Sequence, residues 1–158
     1  MALPRCYIAS PFGFTEAGRD YYAHTYLPAL REVVTVVDPW SLTSVEEVTA
    51  AHACGRAREL ALRIGQRNTD AIRSCALLAA QLDGQEVDAG TAVEVGYAAA
   101  LGIRCYGLRT DLREAGEPGV AVNLQVESVI VQSGGTVCIG LAGLVAALSG
   151  AARELTRP

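Results

Sequence analysis

Short apolar runs alternate with amphipathic stretches along the whole of this 158-residue chain. Runs of apolar and β-branched residues predict strands, and apolar residues spaced three or four apart predict helices. The predicted strands cover residues 5–9, 33–37, 76–82, 103–108 and 128–132, with residues 136–139 as a candidate extension of the sheet. The predicted helices cover residues 16–32, 45–72, 91–101 and 141–155. Breaks are expected at Pro28 and at Gly55 or Gly65.

Strands that alternate with helices predict an α/β fold, in which a parallel sheet has helices on both faces. Five strands favour a flavodoxin-like (Rossmann-like) order over a full dinucleotide-binding fold. The length predicts a single domain, residues 1–158. No GxGxxG motif follows the first strand and no Walker lysine motif is present, so the sequence does not support a nicotinamide, flavin or nucleoside triphosphate site.

Composition and charge narrow the class of partner. Hydrophobic residues make up 51% of the chain, charged residues 19%, and the net charge is -4. The apolar excess fits a homo-oligomer, and the negative charge argues against a nucleic acid polymer as partner. No apolar run approaches the roughly 20 residues that span a bilayer, and the N-terminus carries no signal-peptide pattern. We therefore expect a cytoplasmic protein with no membrane partner.

Cysteine and histidine positions do not predict a metal site. Five cysteines are present without CxxC spacing, and Cys6, Cys105 and Cys138 lie in strand-like runs, which is typical of reduced core residues. The two histidines, His24 and His52, lie far from the acidic residues described next. No zinc-binding set of ligands can be assembled from them, so no metal is expected.

The richest candidate chemistry lies in residues 82–98, between the third predicted strand and the following helix. Four carboxylates occur there: Asp83, Glu86, Asp88 and Glu94. A strand-to-helix junction in an open α/β sheet lies at the carboxyl ends of the strands, where ligands bind. The cluster indicates acid, base or nucleophile chemistry on a small molecule, with Glu86 interpreted as a solvated loop charge.

Each acid also has a purely structural explanation. Glu94 follows Thr91 by three residues, so it could complete a capping box; as a nucleophile or base it would lie in the first helical turn, where the helix dipole keeps it ionised. Asp83 and Asp88 could be turn residues. Asp70 could be a surface charge near a helix end. The convergence of Asp83, Asp88 and Glu94 at one strand end favours a functional role.

Aromatic residues near the strand ends allow two interpretations. Phe12 and Phe14 flank Gly13 in the loop after the first strand, where each could fill the core or stack on a flat ligand. Trp40, after the second strand, allows the same two interpretations. Tyr7 lies within the first strand, where a core role is the simpler explanation.

Residues 88–98 follow the pattern DxGTAxExGxA. Four shorter segments accompany it: YIASPFGF at 7–14, NTD at 68–70, LDG at 82–84 and NL at 123–124. From about residue 7 to residue 130, the chain with these segments resembles the nucleoside 2-deoxyribosyltransferases, and the pattern at 88–98 is the most specific part of the resemblance.

The resemblance implies roles for individual residues. Glu94 matches the family's nucleophile, Tyr7 orients it, and Asp70 and Asp88 match acids that position the deoxyribose and handle the proton on the base. Asn123 matches an asparagine that reaches the sugar 5′-hydroxyl from a neighbouring subunit. The implied substrate-binding residues also include Ser10, Phe12, Gly13, Phe14, Trp40, Asp83 and Gly90.

The implied activity is transfer of the 2-deoxyribosyl group from a 2′-deoxynucleoside to another free purine or pyrimidine base. It would pass through a covalent glutamyl-deoxyribosyl intermediate with net retention and would need no cofactor. Two alternatives remain open. One is a nucleoside or nucleotide N-glycosidase, and the other is a non-catalytic nucleotide-sensing module on the same scaffold.

Overall fold

The computed structural model describes residues 2–156. Five strands form one sheet in the order β2-β1-β3-β4-β5, and each hydrogen-bonded pair is parallel. This is the predicted α/β, flavodoxin-like arrangement of five parallel strands. The strands are β1 (Arg5–Ala9), β2 (Thr35–Val37), β3 (Leu77–Gln81), β4 (Arg104–Arg109) and β5 (Val137–Ile139).

Helices connect the strands. They are α1 (Glu16–Tyr21), α2 (Leu27–Arg31), α3 (Val45–Ala53), α4 (Ala57–Arg73), α5 (Ala89–Ala100), α6 (Leu124–Gln132) and α7 (Leu141–Leu155). Short 3₁₀ turns, Phe12–Phe14 and Pro39–Ser41, follow β1 and β2. None of the helices within residues 2–156 is long and apolar enough to cross a membrane.

The helices are interrupted near Pro28 and at Gly55, but not at Gly65. Gly55, with φ of 67°, lies between α3 and α4, whereas Gly65 lies inside α4. Before Pro28 the chain passes through a π-helical turn, Tyr22–Tyr26, and Pro28 then lies in the first turn of α2. A proline is tolerated there because it lacks an N–H that the first turn does not use.

The prediction of a strand at residues 128–132 was wrong. These residues form the second half of α6, and the fifth strand is β5, where only an extension of the sheet was expected. The side chain of Asn123 starts the helix by accepting a hydrogen bond from the N–H of Gln125 at 3.0 Å. Val126 and Ile130 then lie one turn apart on the same face, and Ile130 is fully buried. Helical spacing outweighed the β-branched composition of the segment.

Two hydrophobic layers cover the two faces of the sheet. Successive strand residues point to opposite faces, so Cys6 and Ile8 pack with α1, α2 and α7, whereas Tyr7 and Ala9 pack with α4, α5 and α6. The three cysteines expected in the core are buried and carry free thiols. The Tyr7 side chain therefore lies on the same side of the sheet as α4 and α5.

Candidate active site

A cleft of about 340 Å³ opens at the carboxyl ends of β1, β2 and β3. In a sheet of this strand order, that position next to β1 and β3 is the switch point where ligands bind. Six of the residues proposed from sequence line it: Ser10, Phe14, Trp40, Asp88, Gly90 and Glu94. Four more lining residues were not proposed as site residues: Pro39, Ile64, Asn68 and Thr91.

A larger and shallower groove of about 630 Å³ lies between α2 and α7. Its lining is mostly apolar, with Arg153 as its charged residue and no carboxylate. The smaller cleft is the candidate active site, because it holds the carboxylates of Asp88 and Glu94, which can act as acid, base or nucleophile.

Asp88, rather than Thr91, begins the helix that carries Glu94. Asp88 Oδ2 accepts hydrogen bonds from the N–H of Thr91 at 2.9 Å and from its hydroxyl at 3.1 Å. Glu94 therefore lies in the second turn of α5, and neither the capping role nor the first-turn position predicted for it is correct. The structural and the functional interpretations of Asp88 are compatible, because Asp88 caps the helix and also lines the cleft.

One oxygen of Glu94 is held by two donors. The Tyr7 hydroxyl donates to Oε1 at 2.6 Å, and the Asn68 amide Nδ2 donates to the same oxygen at 3.4 Å. The other oxygen, Oε2, accepts no hydrogen bond from any residue within 2–156. The carboxylate is thus oriented through one oxygen, and the second oxygen remains available for a bond to a ligand.

Burial sets the protonation of this pair. Burial, together with the charge of Glu94, raises the pKa of Tyr7 far above its usual value, so the phenol stays protonated and keeps donating. Burial and then the charge of Asp88 raise the pKa of Glu94 above its ordinary value, against the opposing effect of its two hydrogen bonds. The sequence had suggested the opposite direction from the helix dipole. The result is a carboxylate more basic than an exposed one.

Asp70 does not reach the cleft. It is exposed at the surface of α4, where its carboxylate accepts hydrogen bonds from Arg73 at 2.8 Å and from Gln66 at 2.9 Å. This is the surface charge that the sequence offered as the alternative explanation.

Asn68 occupies the place that the sequence assigned to Asp70. Asn68 lies four residues before the fully buried Ile72, so both face inward from α4, whereas Asp70 lies two residues from each and points away. The signal was present in the sequence, because Ile64, Asn68 and Ile72 recur every four residues.

Asp83 fixes a loop instead of lining the cleft. Its carboxylate accepts hydrogen bonds from the N–H and hydroxyl of Thr110 and from the N–H of Asp111. These bonds tie the chain after β3 to the chain after β4. Asp83 therefore has the structural role that the sequence offered as its alternative, and its contact with a substrate stays a prediction.

Arg109 supports the same loop and was missed by the sequence argument. Its guanidinium is buried and donates to the carbonyls of Leu82 at 2.7 Å, Gly84 at 2.8 Å and Arg113 at 2.8 Å. A buried arginine at a strand end has no sequence signature of its own, because its partners are backbone carbonyls.

The two phenylalanines of the first loop have different surroundings. Phe12 packs into the core against Tyr21 and Tyr26, with ring centroids 5.3 and 5.4 Å apart, so it does not line the cleft as proposed. Phe14 is 71% exposed and meets Trp40 edge to face at 4.9 Å. Phe14 and Trp40 together form an aromatic wall of the cleft.

Gly13 lies behind this wall. A Cβ at Gly13 would come within 2.3 Å of the Trp40 indole, so only glycine lets the indole pack directly on the loop backbone. Ser10 also shapes the loop, because its hydroxyl accepts a hydrogen bond from the N–H of Phe12 at 3.1 Å.

Asn123 lies away from the cleft of its own chain. It caps α6 and is exposed. Its contact with a sugar across a subunit interface stays a prediction. Within the described part of the chain, no group of three or more His, Cys, Asp or Glu side chains is placed to hold a metal ion.

Comparison with known proteins assigns the family. The model of the nucleoside 2-deoxyribosyltransferase family matches residues 6–145, and the chain belongs to this family. The resemblance seen in the sequence is thereby confirmed. Membership implies an enzyme that transfers or hydrolyses a glycosyl group, with nucleosides and nucleobases as substrates.

Solved structures share the fold. The 2-desoxiribosyltransferase from Leishmania mexicana has 26% sequence identity and a TM-score of 0.55 over 78% of this chain and 85% of that chain. The 2-deoxyribosyltransferase from Bacillus psychrosaccharolyticus has 19% identity and a TM-score of 0.61, covering 89% and 90%. A CMP N-glycosidase from Clostridium botulinum has 18% identity and a TM-score of 0.55, covering 93% and 98%. None of the curated proteins compared with the chain matches it.

Proposed function

We propose that this protein transfers the 2-deoxyribosyl group of a 2′-deoxynucleoside to another purine or pyrimidine base, with Glu94 as the nucleophile. The observation that carries the proposal is the half-buried Glu94 carboxylate, which is held through Oε1 and leaves Oε2 without a partner among residues 2–156. The cleft volume of about 340 Å³ also falls in the range of roughly 300–1,000 Å³ that is usual for small-molecule sites.

In the first half-reaction, Glu94 Oε2 forms a bond to the anomeric carbon on the face opposite the base. The bond from that carbon to the base nitrogen breaks, and its electron pair goes to the base. A proton reaches the leaving base by way of Asp88, which lines the same cleft. The Tyr7 hydroxyl keeps the carboxylate aligned throughout.

The second half-reaction reverses these steps with a new base. A nitrogen of the acceptor attacks the anomeric carbon, Glu94 leaves as a carboxylate, and the acceptor's proton returns to Asp88. The donors on Oε1 stabilise the charge on the departing carboxylate. Two inversions at one carbon give net retention.

The aromatic wall formed by Phe14 and Trp40 suits the base. A flat heterocycle gains contact area on an aromatic face, and the Phe14 and Trp40 rings stand nearly perpendicular to each other at 82°. This wall binds purine and pyrimidine rings alike, because every base has a flat face.

Hydrolysis of the same bond is the second candidate, and the structural likeness to a CMP N-glycosidase favours it. Water would then replace the acceptor base. A 5′-phosphate, however, calls for cationic or several hydroxyl groups, and the cleft lining offers the hydroxyls of Ser10 and Thr91 and no arginine. A neutral nucleoside fits this lining better than a nucleotide.

One chromatographic assay separates the candidates. The protein is incubated with deoxyinosine and free adenine, and the products are resolved by liquid chromatography. Transfer predicts deoxyadenosine together with hypoxanthine. Hypoxanthine without a new nucleoside would overturn transfer in favour of hydrolysis. No change, with deoxyinosine still bound in a titration, would favour the non-catalytic module.

A further inference from the structure

Only one of the two polar atoms of the Asn68 side chain has a hydrogen-bond partner. Its Nδ2 donates to Glu94 Oε1 at 3.4 Å, while its Oδ1 is buried and has no hydrogen-bond partner. A buried polar atom without a partner costs about 1–3 kcal/mol. Such an atom in a native fold calls for an explanation beyond packing.

The chemistry of the amide group offers an explanation for an asparagine at this position. An amide carries no charge and does not titrate near neutral pH, yet it can donate through nitrogen or accept through oxygen. Facing Glu94 with its nitrogen, Asn68 favours the ionised carboxylate, because a hydrogen bond to the charged form stabilises that form. It does so without adding a second negative charge at this side of the cleft.

We infer that Asn68 is a positioning residue that works with Tyr7 to hold Glu94 ionised and aligned for attack on the sugar. The inference deepens the proposed function and rests on it. Asn68 contacts Glu94 Oε1, so its effect on the reacting atoms passes through the nucleophile.

The groups that act on Glu94 come from three elements. Tyr7 on β1 and Asn68 on α4 donate to it, and Asp88 at the start of α5 repels its charge. Tyr7 stays protonated because burial raises its pKa. Removal of Asn68 therefore leaves burial and Asp88 opposed by Tyr7 alone, and the pKa of Glu94 must rise.

The test is a ¹³C NMR titration of glutamate-labelled protein, with the Glu94 signal assigned by its loss in Glu94→Gln. In Asn68→Leu, which keeps the branched heavy-atom skeleton, and in Asn68→Ala, the Glu94 midpoint is expected to move up by about half to one pH unit. Gln66→Ala removes an amide from the exposed face of the same helix and should leave the midpoint unchanged.

Kinetics give the second readout. At a pH well below both midpoints, kcat should fall about three- to ten-fold with little change in KM, and the ratio of variant to wild-type kcat/KM should recover as pH rises above the shifted midpoint. An unchanged or lowered midpoint would overturn the inference, as would loss of folding in both variants. Because the titration needs no turnover, failure of the proposed transfer would show separately in the nucleoside assay.

Discussion

The acid-rich stretch at residues 82–98 has two ends that use carboxylates differently. At the first end, Asp83 accepts three hydrogen bonds from Thr110 and Asp111 and binds one loop to another. At the second end, Glu94 has two donors on one oxygen, and burial raises its pKa. The difference teaches that a carboxylate whose oxygens all have hydrogen-bond donors serves the structure. A buried carboxylate with one oxygen free of donors is still able to react.

The largest expected effect comes from removing the nucleophile. Glu94→Gln keeps an acceptor for the Tyr7 hydroxyl but cannot form the ester, so transfer should fall by at least about 1,000-fold. The variant should also be more stable at neutral pH. A carboxyl whose pKa is raised by folding destabilises the fold when ionised, so the gain should be full above the folded pKa of Glu94 and vanish below its unfolded value.

Chromatographic rates and thermal unfolding at pH 7 and pH 4 measure both parts of this prediction. Retained transfer would remove Glu94 from the mechanism. An equal Tm for the two proteins at pH 7 would contradict the account of its burial.

The next effect separates the two roles of Asp88. Asparagine can still cap α5, so Asp88→Asn should unfold at nearly the wild-type temperature, yet it cannot deliver a proton and transfer should fall by about 100-fold or more. Asp88→Ala should lose a further 0.5–2 kcal/mol or so of stability with the cap. Urea unfolding measures the capping role of Asp88, and kcat measures its role in proton transfer. A fully active Asp88→Asn would assign the proton transfer to another group.

A smaller effect is expected at the aromatic wall. Trp40→Ala removes the stacking surface and should raise KM for the base about ten-fold while kcat changes less. The matched control is Leu112→Ala, because Leu112 is 99% exposed and lies outside the cleft. A KM that stays at the wild-type value would place the base elsewhere.

The smallest effect on activity belongs to the other end of the stretch. Asp83→Ala should cost about 1–3 kcal/mol of stability, because the N–H groups of Thr110 and Asp111 lose their acceptor. Activity should fall only a few-fold at temperatures where the protein stays folded. Denaturant unfolding and kcat/KM test this pattern, which is opposite to that of Glu94→Gln. Lost activity with undiminished stability would place Asp83 among the reacting groups.

Local signals were sufficient to predict most of the fold. Four strands, the starts of α1, α3 and α7 and the flavodoxin-like strand order agree with the predictions made from periodicity, capping residues and the number of strands. The exception was α6, where valines and an isoleucine favoured a strand although their spacing was helical. Intrinsic β-preference is weak, and packing of Ile130 into the core decided the outcome.

The candidate site was harder to predict, because it depends on which way side chains point. Asp70 and Asn68 are two residues apart in one motif, and the rotation of α4 alone decides which of them meets Glu94. Phe12 and Phe14 diverge in the same way, one into the core and one into the cleft. Asp83 and Arg109 find their partners in a loop distant in sequence, which no local pattern reveals.

The covalent intermediate tests the central claim most directly. The protein is mixed with deoxyinosine in the absence of an acceptor base, quenched with acid, digested and examined by mass spectrometry. The account predicts an added deoxyribosyl group on the peptide that contains Glu94, localised by fragmentation to that residue, and lost when adenine is added before the quench. Hypoxanthine release with no adduct on Glu94, or an adduct on another residue, would contradict it.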